Sequence, residues 1–225
     1  MIPAARTTFC FGARHGAARA IPVEVRLGDR HAFALALLVP LLGCGEEAAA
    51  LAFDGLAASE GDPAAGAALR AIAEEERVHD RLLHGLAESL PPVAETALRR
   101  QARRFHIDLG RGSTLAHLAR IAAIDAGVCM ILSRLLRPAS PVAGDRAVAD
   151  MLARIRLDET RHVRLSRSLV LARADGRGFE DVAKAAREAL ANVIMLAADA
   201  FEDLEVDPVR LWADLGSLPH GLLRR

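Results

Sequence analysis

The sequence predicts an all-α fold, and three observations carry that expectation. Alanine and leucine dominate, aromatic residues make up 4% of the chain and tyrosine is absent, so the aromatic and β-branched runs that build strands are scarce. Apolar residues recur at helical spacing through several long segments. Clusters of Pro, Gly, Asp and Ser, the residues that start and stop helices, separate those segments. Only "IPVEVRL" at 21–27 reads as a short extended piece.

The first helix is expected from about Asp29 to Ser59, with Pro40, Gly43 and Gly45 as places where it can kink. The second starts at "GDP", where Asp62 can cap and Pro63 fits the first turn, and stops before Pro91-Pro92. A connecting segment follows with room for a short helix. The third helix opens at Ser113 and ends before Pro138; the fourth covers about 142 to 173 and ends at "DGRG". The fifth spans roughly Glu180 to Glu205. Short turns inside the first and second pairs describe a four-helix bundle with an additional C-terminal helix. The domain limits that follow are an N-terminal extension over 1–28, the bundle over 29–205 and a tail over 206–225.

Bulk properties set the context. At 225 residues the chain is long enough to bury a core, and 52% hydrophobic with 26% charged residues is a globular composition. Zero net charge gives no general pull toward nucleic acid or a membrane surface. Three cysteines far apart, Cys10, Cys44 and Cys129, suit a reducing cytoplasm and argue against a disulfide framework. The first twenty residues lack the apolar core and cleavage site of a signal peptide, and no stretch reads as long and apolar enough to span a bilayer. The expectation is therefore a cytoplasmic protein with no membrane partner.

One stretch does not fit an ordinary core helix. In "IAEEERVHDRLL", 72–83, Glu76 and His79 share the stripe of Leu69, Ile72 and Leu83. Burying an unpaired charge is costly, so Glu-x-x-His on a core stripe calls for a reason. The fourth helix repeats the pattern in "RLDETRHVRLS", where Glu159 and His162 lie among Leu152, Ile155, Val163 and Leu169. Among the histidines of the chain, only His79 and His162 have a glutamate three residues before them.

Turn geometry extends the pattern. Residues equidistant from a hairpin turn lie at the same height, which places position 46 opposite Glu76 and position 125 opposite Glu159. The first is in "GCGEEAAALAF" and the second is Asp125, the only acidic residue between Asp108 and Asp145. Glu46/Glu76/His79 is thus echoed by Asp125/Glu159/His162. Four carboxylates and two imidazoles in one core repel one another without cations, and two divalent metals with oxygen and imidazole ligands resolve this.

On these residues, over about 30 to 173, the chain resembles the ferritin-like superfamily of di-iron carboxylate proteins, which includes rubrerythrin and ferritin. The resemblance implies a ligand set of Glu46, Glu76, His79, Asp125, Glu159 and His162, with no catalytic side chain beyond the ligands. It implies two Fe ions, with Mn or a mixed Fe/Mn pair as alternatives. Asp125 departs from the more usual glutamate, and no tyrosine is present to act as a second partner or radical carrier. The Glu46 stripe, with Leu38, Leu42, Ala49 and Phe53, favours Glu46 over Glu47 as the ligand of the first helix; both remain candidates.

The activity implied is O2-dependent oxidation of a small organic metabolite by an oxygenase or oxidase. Flavin, nicotinamide and iron–sulfur fingerprints are absent from the sequence, so an external electron donor or reductase is the expected partner. The alternatives are a tRNA-nucleoside hydroxylase, with Arg99, Arg100, Arg103 and Arg104 as its RNA contact, and ferroxidase or manganese-catalase handling of metal and peroxide. Zero net charge favours reading that arginine run as a solvated face, so nucleic acid is not the favoured partner. The apolar stretch "ANVIMLAA" of the fifth helix either packs on the bundle or forms a homodimer interface. Glu74, Glu75 and Asp158 read as solvated, and Cys44 and Cys129 as core thiols. His31, His84, His106, His117 and His220 read as ordinary surface or core histidines, and Asp54 as either inward-facing or at the surface.

Overall fold

A computed structural model describes residues 9–11, 20–94, 97–174, 178–217 and 222–223. The expected signal-free leader and His220 lie largely or wholly outside the described residues. Among those described, the regular structure is all helical. The segment at 21–27 is irregular and forms no strand.

Four long helices make the frame: α1 (Asp29–Ala58), α2 (Pro63–Glu88), α4 (Thr114–Leu135) and α6 (Arg146–Arg173), with α3 (Ala97–Leu109) between the two halves. Helix α1 runs unbroken through Pro40, Gly43 and Gly45. Helix α2 begins as its sequence dictates: Asp62 accepts a hydrogen bond from the Ala64 N–H at 2.9 Å, and Pro63, which has no N–H to orphan, follows it. Ser113 caps α4 in the same way through the Ala116 N–H at 3.2 Å. Each of the pairs α1/α2 and α4/α6 packs along its length as a hairpin.

The expected fourth helix is in fact two. A short α5 (Pro141–Gly144) precedes α6, and Asp145 terminates the first while capping the second through the Val148 N–H. The expected fifth helix also divides, into α7 (Glu180–Ile194), a 3-10 turn (Met195–Ala197) and α8 (Ala198–Asp203); the tail contributes α9 (Pro208–Gly216). Helix α7 packs on α4 and α9 on α7, so this region covers one side of the frame.

The core is two apolar bodies rather than one. Leu35, Leu38, Leu83, Leu86, Leu132, Leu135, Leu152 and Ile155 pack at one end. Phe53, Leu56, Leu69, Ile72, Ala119, Ala122 and Val170 pack at the other. Along each long helix the boundary between them falls where the acidic and histidine residues sit.

The N-terminal segment corrects the expectation that the cysteines form no disulfide. Cys10 and Cys44 form a disulfide. Three consecutive N–H groups, of Phe9, Cys10 and Phe11, donate to the Glu47 carboxylate at 2.8, 2.7 and 2.6 Å. Thiols far apart in sequence are brought together because this carboxylate draws the extension back onto α1. Glycines permit the approach: a Cβ on Gly43 would lie 2.1 Å from the Phe9 ring, and one on Gly85 would lie 1.6 Å from the Ile21 carbonyl oxygen. The arginine run falls on α3, where Leu98, Ala102 and Phe105 are buried and Arg100, Arg103 and Arg104 are exposed, in keeping with a solvated face.

Helices α1 and α4 are also, by length and composition, apolar enough over their most apolar windows to cross a membrane. The sequence expectation that no stretch meets this test is therefore corrected. Within these windows 67% and 56% of the residues are buried inside the protein, so packing around the shared interior gives both helices a use for that character.

Replacing Glu47 with alanine orphans three N–H groups and should lower stability by at least about 2 kcal/mol. Urea unfolding of Glu47→Ala checks this, and an unchanged midpoint would show that the carboxylate does not hold the segment.

Candidate metal centre

Between the two apolar bodies lies a buried polar layer. Glu46 on α1, Glu76 and His79 on α2, Asp125 on α4, and Glu159 and His162 on α6 are all buried. The frame thus brings all six sequence-derived candidates into one layer. Of these, Glu46, Glu76, His79 and Glu159 form the tightest group and can hold a metal ion, each offering one atom within 4.8 Å of the others. Asp125 and His162 border that group. Glu47 belongs elsewhere: its oxygens face the N-terminal segment, and it neighbours Asp80 and His84 instead.

Both imidazoles have the same orientation. Nδ1 of His79 lies 3.2 Å from Glu46 Oε2, 3.3 Å from Glu76 Oε2 and 3.6 Å from Glu159 Oε1. Nδ1 of His162 lies 3.0 Å from Glu76 Oε1 and 3.7 Å from Glu159 Oε2. Each Nε2 points the other way, His79 to Asp158 at 3.1 Å and His162 to Glu75 at 2.8 Å. A carboxylate at Nε2 selects the tautomer protonated there, which leaves the Nδ1 lone pair facing the layer. This is how ligating histidines are oriented in metal proteins.

Glu75 and Asp158 are therefore a correction. The sequence reading assigned them to solvent, yet each immediately precedes a motif glutamate and braces the histidine of the opposite helix. Arg161 joins the braces, donating to Glu75 at 2.9 Å and to Asp158 at 2.7 Å. The signal was present in the sequence: an acid directly before Glu-x-x-His recurs in both copies.

Electrostatics show what the layer lacks. Burial, with the nearby Glu76 carboxylate, pushes Glu46 up to about 8. Burial, then Glu159 and Glu76, raises Asp125 well above the ordinary carboxylate range. Burial opposes charging of His79, but Glu46, Glu159 and Glu76 outweigh it and hold the imidazole far above its usual value. His162 is likewise pushed up to about 12, by Glu159 and Glu76 against its own burial. The protein thus draws protons into the layer as substitute cations. Glu76 Oε1, Asp125 Oδ2 and His162 Nδ1 nevertheless make no hydrogen bond, although the first and last lie 3.0 Å apart. Buried carboxylate oxygens and an imidazole nitrogen left without hydrogen-bond partners are the kind of atoms a divalent cation takes as ligands.

The other candidates are placed as follows. Asp54 pairs with Arg77. His84 lies beside an acid, its Nδ1 3.1 Å from Asp80 Oδ1, and its ring packs at a tilt against Phe9. Burial raises the half-buried Cys129 thiol to about 11, and it contacts Thr160 rather than the layer. Cys44 is not a thiol at all but the disulfide partner of Cys10.

A cavity of about 340 Å³ adjoins the layer, lined by Glu46, Glu76, Asp125 and Glu159 together with apolar residues of α1, α3 and α4. His106 and His117 line it, a role the sequence reading did not give them.

Compared with known proteins, the chain matches no family model and no curated sequence.

Two outcomes follow from this geometry. Metal binding at pH 7 requires Glu46 to give up a proton, so titrations in buffers of different ionisation enthalpy should report proton release, with affinity rising as pH climbs through about 8. Because its folded pKa is raised, the metal-free protein binds more protons folded than unfolded between the ordinary carboxylate range and about 8, and this group makes its stability fall across that window. A metal affinity independent of pH would contradict the first outcome, and a metal-free stability that holds constant across that window would contradict the second. Removing a brace should also matter: Asp158→Asn and Glu75→Gln should each weaken metal affinity about 10- to 100-fold, measured by competition with a chelating dye.

Proposed function

We propose that the chain is a di-metal carboxylate oxidoreductase of the ferritin-like type, oxidising a small organic molecule with O2. The observation that carries this reading is the mirrored pair of braced histidines, each turning Nδ1 into a layer of four buried carboxylates beside an apolar cavity. Glu46, Glu76 and His79 would hold one ion, and Asp125, Glu159 and His162 the other, with Fe as the favoured metal and Mn as the alternative. When bound, such a pair supplies redox chemistry with O2 that amino-acid side chains lack.

The chain's own residues do the rest. Asp158, Glu75 and Arg161 orient the two imidazoles, while the apolar bodies above and below keep bulk water from the layer. The cavity gives an organic molecule a place beside the carboxylates. For hydroxylation, substrate, O2, two electrons and two protons yield the hydroxylated product and water, and an external reductase supplies the electrons. The cavity favours this over peroxide or metal handling, which needs no room for an organic molecule.

Two ions per chain are expected by elemental analysis of iron-loaded protein, and Glu76→Ala and Glu159→Ala should each lower that content. The ions should also be unequal. Asp125 is a methylene shorter than Glu46 and, with His162, lies outside the tightest group, so the ion on that side should bind more weakly. Asp125→Glu should tighten it. Full metal content in both glutamate variants would count against the assignment, and two equal sites in the wild type would count against the inequality. The activity itself is tested by O2 uptake of the iron-loaded protein with a chemical reductant. Peroxide disproportionation by manganese-loaded protein, without O2 uptake by the iron form, would overturn it.

A further inference from the structure

The cavity beside the carboxylate layer has a lining that selects by charge. Leu41, Leu42, Ile121, Ile124 and Val128 contribute hydrocarbon, and among the described residues no arginine or lysine lines it. Its acidic residues are the four layer carboxylates, which face the candidate ions. Among the described residues a substrate carboxylate or phosphate would find no arginine or lysine to pair with, only the ions, whose charge the four layer carboxylates already balance, and an ammonium group would compete with the ions for their ligands. Either charge would also have to leave water for an apolar wall.

Two polar side chains remain. His106, on α3, has its ring edge 3.9 Å from where a Gly45 Cβ would be, so the absence of a side chain at 45 leaves space between this ring and α1, one residue from Glu46. His117 lines the cavity as well. Burial alone lowers His106 to about 4, and burial together with Arg120 lowers His117, so both stand as neutral imidazoles. A neutral ring offers one donor and one acceptor to a hydroxyl or a carbonyl.

We propose that this cavity binds an uncharged, largely hydrocarbon substrate whose hydroxyl or carbonyl group is hydrogen-bonded by His106. This rests on the oxidoreductase reading, and its test separates the two. Calorimetric titrations use 1-octanol, 2-octanone, octanoate and octylamine as probes, against both metal-free protein and protein loaded with two equivalents of Zn(II). Octanol and octanone should bind the zinc-loaded protein at least tenfold more tightly than octanoate or octylamine. His106→Phe should weaken octanol and octanone about three- to tenfold, the loss expected for one neutral hydrogen bond. Ala48→Phe and Ala52→Phe, which fill the cavity from α1, should each abolish binding, with circular dichroism and zinc content confirming the fold.

Octanoate binding as tightly as octanol, octanol binding unweakened by His106→Phe, or octanol binding that survives the filling variants overturns the proposal. If the chain takes up two metals but none of the probes, this inference fails and the oxidoreductase reading stands. If it takes up no metal but binds octanol in a His106-dependent way, the cavity assignment stands and the oxidoreductase reading falls.

Discussion

Uncompensated negative charge in the middle of the protein is the constraint around which the rest is arranged. Four carboxylates at the level of His79 and His162 cannot all be ionised in a dry interior without positive charge among them. The structure meets this in part by protonation, raising Glu46 and Asp125 and holding both imidazoles in their charged form. Protons are a poor substitute, because three buried polar atoms still lack a donor or acceptor. The two apolar bodies on either side supply the cohesion the polar layer lacks, and the long α1/α2 and α4/α6 contacts hold the six side chains at one height.

Much of this was legible in the sequence because helices have a fixed period and rise. Glu76 and His79 share a stripe with Leu69 and Leu83, which required them to be buried, and they are. Equal distance from a turn linked Glu46 to Glu76 and Asp125 to Glu159 without any structure. Caps at Asp62 and Ser113 placed the helix starts. What escaped was of a different kind. Asp145 both ends α5 and starts α6, a break that apolar periodicity does not show. The roles of Glu75 and Asp158 depend on contacts between α2 and α6, helices not adjacent in sequence, and charge alone gave no reason to turn them inward. The Cys10–Cys44 bond and the seat of Glu47 depend on an extended segment with no periodicity at all.

The neighbouring glutamates of α1 illustrate how far one residue reaches in a helix. Glu46 and Glu47 are about 100° apart around the axis, so they serve unrelated environments. One faces the layer; the other receives three backbone N–H groups and fastens the segment that carries Phe11 to the edge of the cavity. The boundary between the candidate metal centre and the chain's N-terminal cover is therefore a single peptide bond wide.

The crossed histidine braces carry a consequence for how information is distributed in the molecule. His79 belongs to α2 but is aimed by Asp158 of α6, while His162 belongs to α6 and is aimed by Glu75 of α2. Neither hairpin contains a finished half of the centre, although each carries a complete copy of the motif. Any slip of α2 along α6 misdirects both imidazoles together, in opposite senses, and Arg161 ties the two errors to each other. The centre behaves as a single two-fold object written across two helices, and its alignment is a property of their register rather than of any residue in it.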